Sequence, residues 1–256
     1  MKLRIQFAKY GVMKFIGHLD VMRFFQKAIR RADIDIRYSE GFSPHQIMSF
    51  AAPLGVGIES TGEYLDIEVN SMSSTDEIKD ALNHVMVEGM EVLSVKILPD
   101  TVKNAMASVS AAGYLVVYTV LDSKENIENS SADNPPTDLL IDDLEQKLAD
   151  FYAQKQIPVT KTTKKSVIEL DIKQGIFELK AEKGINLPGK DINNHPAIYM
   201  LLDASSSGNI KPSMVMEELC KFCQTEYEKY NWQIIRTETY TKAEDDSLIP
   251  LSAVGK

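Results

Sequence analysis

Over the first hundred residues the hydrophobic period switches between two and nearly four, and this constrains the fold more than any other feature. Residues 2–8 place Leu3, Ile5 and Phe7 on one face of a strand. Residues 18–32 change period. Leu19, Met22, Phe25 and Ile29 recur at steps of three and four, which gathers them on one side of a helix. A strand pair follows at about 35–50 and 62–69. Tyr64, Ile67 and Val69 support its second member, and Pro53, Gly55 and Gly57 crowd the turn region. Ser74 or Thr75 is placed to cap a helix over 75–90, with Asp76 and Glu77 in the favourable first turn. Residues 92–98 read as a closing strand. The order is β-α-β-β-α-β, the split ferredoxin-like unit.

The second half gives the same order. Residues 114–121 form a continuous apolar run suited to a buried strand. Residues 122–136 are polar, contain Asn134-Pro135-Pro136 and read as a loop. Residues 138–153 carry Leu140, Leu144, Leu148 and Phe151 on one helix side. Ile168, Leu170 and Ile172 alternate as a strand, with Phe177 and Leu179 extending a hairpin. Residues 197–202 form another strand. Pro212 starts a helix running through Met216, Leu219 and Cys223, and 232–240 form the last strand. The expected class is therefore α+β, as two tandem ferredoxin-like domains with antiparallel sheets. The first spans 1–105, the second 112–242, and 243–256 form a loose polar tail.

A chain of 256 residues suits two domains of this size. It has no apolar run near the roughly 18 residues needed to span a bilayer, and its start reads as a strand rather than a signal peptide. Two cysteines make no disulfide framework, so a cytoplasmic location is expected, with no membrane partner. The net charge of −9 argues against indiscriminate polyanion binding, yet the charge is uneven. Residues 1–50 hold nine Lys/Arg and four Asp/Glu, whereas 51–100 hold two and ten.

The cations of the first helix fall opposite its apolar stripe. Arg23, Lys27, Arg30 and Arg31 are spaced by four, three and one. They form either a solvated helix face or a stripe that tracks nucleic-acid phosphates. His18 and Asp20 open the same helix. They either cap and charge its first turn or, with the free backbone N–H groups there, hold an anion. Tyr38 offers a flat ring on which a base could stack. In Tyr38-Ser39-Glu40-Gly41-Phe42-Ser43-Pro44-His45, Gly41 is suited to a positive φ and Pro44 holds Ser43 extended. If that loop folds over the helix start, His18 and His45 converge as an acid/base pair or as two of three metal ligands, though no third ligand declares itself. Cys220-Lys221-Phe222-Cys223 lies inside a helical pattern without a second pair and reads as packing. The 205–212 loop is either an anion cradle or a plain connection into the following helix. Dinucleotide, P-loop and nucleophile-elbow motifs are missing, and no cofactor is expected.

Several of these stretches together resemble the bacterial radical SAM-linked protein family, a domain of unknown function. They are 14–20 (KFIGHLD), Arg30-Arg31-Ala32, 38–45 (YSEGFSPH), Ser49-Phe50-Ala51, 53–57 (PLGVG) and Glu63-Tyr64-Leu65-Asp66. The match is dense over 1–70 and looser beyond, where it rests on Gly208 to Pro212 and Arg236 to Tyr240. Gly17, Ser43 and Gln46 stand where serine, asparagine and proline are usual. Members of that family stand alone or are fused to radical SAM proteins of the cobalamin type. This chain lacks the cysteine triplet that holds such an enzyme's cluster. The resemblance therefore implies a non-catalytic accessory acting in trans with a cobalamin-type radical SAM partner, and implies no catalytic residues. Within the matched motifs and the helix stripe, the candidate binding residues are His18, Asp20, Arg23, Lys27, Arg30, Arg31, Tyr38, Phe42, His45, Ser49 and Glu63. Three functions follow: RNA binding or presentation, a protein-interaction module for the radical SAM partner, or hydrolytic RNA cleavage by His18 and His45. The last is motivated by the architectural similarity to CRISPR repeat-processing endoribonucleases.

Overall fold

The computed structural model describes residues 1–119, 141, 143–162, 167–187 and 191–256. In chain order the elements are β1 (Lys2–Lys9), a 3-10 turn (Gly11–Phe15), α1 (His18–Arg31), β2 (Met48–Phe50), β3 (Glu59–Glu68), α2 (Thr75–Val85) and β4 (Met90–Leu98). There follow α3 (Ala105–Ser108), β5 (Ala111–Tyr118), α4 (Leu144–Tyr152), β6 (Pro158–Thr162), β7 (Val167–Asp171), β8 (Ile176–Lys183) and β9 (Pro196–Asp203). The chain ends with α5 (Pro212–Phe222), β10 (Trp232–Lys242) and β11 (Leu248–Pro250). The fold is mixed α+β on mostly antiparallel sheet. The chain divides into two compact units, residues 1–112 with 236–256, and residues 113–235. Residues 236–242, expected to close the C-terminal domain, thus group with the first unit.

In the first unit β1 lies between β3 and β4 and runs antiparallel to both. β2 pairs antiparallel with residues 65–67 of β3, and β10 also pairs with β3. Leu3, Ile5 and Phe7 of β1 pack with Val21, Phe25, Ala28 and Ile29 of α1 and with Ile78 and Leu82 of α2. Phe7, Phe25 and Phe50 meet edge to face, with centroids 4.7 to 6.1 Å apart. Leu19, expected on this stripe, is instead 61% exposed, and Val21 takes its place. Ser74 does cap α2, its Oγ accepting from the Glu77 amide at 3.1 Å. The helix stops at Val85 rather than 90, ahead of a turn at Gly89 with φ of 88°. Only Met48–Phe50 of the strand expected over 35–50 joins the sheet. Ile36 and Tyr38 make isolated bridges to Val69 and Gln46.

The opposite side of β1 and β3 is covered as well. Ala51, Tyr64, Ala105 and Leu251 form a second cluster there. The 243–256 segment is therefore no loose tail: β11 pairs with β10, Leu251 is fully buried, and Ile97 and Lys256 exchange backbone hydrogen bonds of 2.9 and 3.0 Å.

In the second unit the strand order is β5-β9-β8. All eight residues of β5 are buried, as a continuous apolar run requires. Leu144, Leu148 and Phe151 form the buried side of α4. Leu140 and the 122–136 loop lie outside the described residues. In the main sheet of this unit the strand that follows β5 in the chain is β8, antiparallel to β9, and not 168–172 as expected. Among the described residues β7 pairs only with β6, in a separate two-stranded sheet. Alternation alone cannot tell which of two neighbouring strands enters the main sheet. Pro212 stands at the start of α5, whose buried side carries Val215, Met216, Leu219 and Cys220. No described helix is long and apolar enough to cross a membrane.

Candidate functional site

Burying Val21, Phe25, Ala28 and Ile29 against the sheet turns the opposite side of α1 to solvent. Arg23, Lys27, Arg30 and Arg31 are all exposed there. Their restraints are light. Asp20 accepts from Arg23 at 3.4 Å, a pair more than half exposed on both sides. Arg30 Nε donates to the Gln26 carbonyl at 3.2 Å, and Arg31 Nη2 to the Val85 carbonyl at 3.3 Å. Exposed pairs of this kind hold a side chain weakly, so the guanidinium groups remain available to an anion. Arg30 and Arg31 also stand in the last turn, where the helix dipole favours cations.

The loop from Tyr38 to Gln46 stands beside this face. Its ends are joined by the Tyr38–Gln46 bridge, by the Ser39 amide donating to the His45 carbonyl at 2.8 Å, and by the His45 amide donating to Ser39 Oγ at 3.1 Å. Gly41 has φ of 111°, as its turn position needs. Gln46 is buried, and its Nε2 donates to the Gln26 carbonyl at 3.3 Å. Gln26 is three residues from Arg23 and four from Arg30, so it is their neighbour on the helix surface. The loop is thereby fastened to the edge of the cation stripe. At its apex Phe42 is 112% exposed, and Tyr38 is partly exposed nearer the base.

The two histidines have separate surroundings. His45 Nδ1 lies 2.9 Å from Ser39 Oγ and 3.4 Å from the Ser43 carbonyl, inside its own loop. His18 meets Phe50 edge-on, with centroids 5.2 Å apart. No contact joining them occurs among the described residues, and none of the described His, Cys, Asp and Glu side chains form a group of three suited to a metal ion.

His18 lines a small cleft with Phe7, Lys9, Val21, Phe50, Ala52, Leu54 and Glu63. Its volume of about 10 Å³ suits a single water rather than a nucleobase. Glu63, one of the candidate binding residues, is buried in an ion pair. Arg236 Nη1 donates to its two carboxylate oxygens at 3.0 and 3.3 Å, and Ser60 Oγ donates to one at 2.7 Å. Arg236 also reaches the carbonyls of Ala52 and Pro53, both at 3.4 Å. Glu63 thus ties the 51–54 segment to β10. Ser49 lies half-buried on β2. Sequence reasoning missed Lys9, which is only 1% exposed and whose Nζ donates to the Ile16 carbonyl at 3.0 Å. Burial holds the Lys9 amine below its ordinary pKa, opposed by nearby Glu63 and reinforced by Arg236. By fastening the chain just ahead of α1, Lys9 fixes where that helix begins.

The second unit contributes less chemistry. Burial pushes the Cys220 thiol up to about 12, and the Cys223 thiol also rises. A raised thiol is a poor nucleophile and metal ligand, which agrees with packing. The 205–212 loop is organised by Asp203, which accepts from the Ser205 amide at 2.8 Å and would clash with any side chain added at Gly208. A carboxylate at its centre suits a connection better than an anion cradle.

A family of uncharacterized proteins conserved in bacteria (DUF2344) matches residues 2–212 of the chain. No curated protein matches it. The chain belongs to this bacterial family.

Proposed function

We propose that this family member binds structured RNA through the exposed face of α1, as a non-catalytic accessory to a cobalamin-type radical SAM enzyme acting in trans. The observation that carries the reading is the set of four exposed cations, Arg23, Lys27, Arg30 and Arg31, on a helix whose other side is locked into the core. The radical SAM link rests on the motif resemblance in residues 14–66. Both units are read as variants of the split β-α-β-β-α-β plan, the second carrying the β6–β7 hairpin as an insertion. A cytoplasmic setting fits the absence of a disulfide framework.

Equilibrium titration of the full chain with a labelled stem-loop RNA, over a range of salt, tests the proposal. Four phosphate contacts give a log–log salt slope of about −3. Affinity then falls roughly 60-fold between 50 and 200 mM salt. The Arg30→Ala, Arg31→Ala double variant should bind more weakly and lose about half of that slope. Salt-independent binding, no binding, or an unchanged slope in the double variant would refute it. The endoribonuclease alternative would need His18 and His45 to act together. They are held by different partners, Phe50 for one and Ser39 for the other.

A further inference from the structure

We infer that the RNA this protein takes carries an unpaired nucleotide, and that Phe42 at the apex of the 38–46 loop stacks on its base. This rests on the reading of α1 as the phosphate-binding face and adds to it the class of RNA and the residue that selects it.

Phe42 is the most exposed large apolar side chain among the described residues, at 112%. The loop beneath it is already closed by the Ser39–His45 hydrogen bonds and the Tyr38–Gln46 bridge. A ring presented on a preordered loop loses little conformational freedom when it is covered. Charge identifies what covers it. The Gln46–Gln26 hydrogen bond fastens the base of the loop to α1 beside Arg23 and Arg30, so an extended ligand over Phe42 can reach a row of cations. A polyanion that also offers flat apolar faces fits both features, and single-stranded nucleic acid has that chemistry. In a paired RNA helix the faces of the bases are covered by their neighbours, and the deep, narrow major groove does not admit a side chain. Only a loop, bulge or end offers a free face. Tyr38 is the other flat ring of this loop. Its backbone closes the base of the loop, whereas Phe42 stands free at the tip.

The test uses the full chain and two labelled RNAs, a stem-loop with an unpaired hairpin loop and a fully paired duplex of equal length. Wild type should prefer the stem-loop. Phe42→Ala should weaken stem-loop binding about tenfold, within the range of one aromatic–base stack, and leave duplex binding unchanged. Phe42→Trp should keep the preference. A 2-aminopurine in the hairpin loop should change in fluorescence on binding wild type but not Phe42→Ala. Because the ring contacts almost nothing in the fold, the variants should melt like wild type. Equal binding of both RNAs by Phe42→Ala and wild type, with salt-dependent affinity intact, overturns the inference and leaves the phosphate face standing. Absence of RNA binding in wild type overturns the phosphate face, and this inference with it. If Phe42→Ala binds both RNAs normally but no longer co-purifies with a protein that wild type retains, the ring serves a protein contact and the inference fails.

Discussion

Replacing Arg4 by methionine tests how much of the first unit depends on a charge pair inside its sheet. Arg4 Nε donates to Asp66 Oδ1 at 2.8 Å and Nη2 to Oδ2 at 2.9 Å, a bidentate pair across β1 and β3. The Arg4 side chain is 1% exposed and that of Asp66 10%. Asp66 Oδ2 also accepts from the Ala105 amide at 2.7 Å and so anchors the start of α3. Arg4→Met keeps the aliphatic length but leaves a buried carboxylate with that amide as its remaining partner. Breaking one side of a buried pair costs about 3–5 kcal/mol. That is a large share of the roughly 5–15 kcal/mol by which domains are stable. Adding Asp66→Asn removes the stranded charge while keeping an acceptor for Ala105, so the double variant should recover about 2 kcal/mol relative to Arg4→Met. Urea titration followed by far-UV circular dichroism measures this. Trp232, the single tryptophan, lies in the other unit and is the wrong probe. An Arg4→Met cost under about 1 kcal/mol, or strictly additive single and double variants, would refute the claim that the pair is desolvated and coupled.

Two further predictions concern the same unit. Burial raises the Glu238 carboxyl above its ordinary 4.5 despite hydrogen bonds from the Tyr64 hydroxyl and the Thr239 amide. A raised folded-state pKa gives stability that is complete below 4.5 and lost as pH rises through the raised value. Wild type should therefore gain on Glu238→Gln as pH falls from neutral towards 4.5, read as the gap between urea midpoints. A gap that is flat, or that moves the other way, contradicts the assignment. At Gly62, an added Cβ would lie 2.4 Å from the Glu238 Cα and 2.8 Å from the Thr237 carbonyl oxygen. Gly62→Ala should cost about 1–3 kcal/mol through forced separation of β3 and β10, and a melting temperature equal to wild type would contradict that close approach.

Local patterns in the sequence carried much of the first unit. The alternation of Leu3, Ile5 and Phe7, the Ser74 cap and the positive φ at Gly41 are decided within a few residues, and all are found. Periodicity was less reliable at the margin of a stripe, where Leu19 turned outward and Val21 inward. It could not reveal that β1 is buried on both sides, because the cover over Arg4 comes from residues such as Ala105 and Leu251, far away in the chain. The same limit explains Glu63. Its partner, Arg236, is 173 residues distant, so the burial and pairing of this acidic residue leave no local trace in the motif. The stripe of Arg23, Lys27, Arg30 and Arg31 was legible because helix geometry alone fixes which side of α1 meets solvent. The docking of the 38–46 loop through Gln46 was not, since a side-chain amide reaching one backbone carbonyl leaves no periodic trace.

The most direct measurement is ultraviolet crosslinking of the protein to RNA in bacterial cells, with the crosslinked peptides mapped by mass spectrometry. Crosslinks are expected within residues 18–46, centred on Phe42 and the exposed face of α1, and they should weaken in the Arg30→Ala, Arg31→Ala variant. Crosslinks confined to residues 113–235, or none above the background of a protein that does not bind RNA, would contradict it.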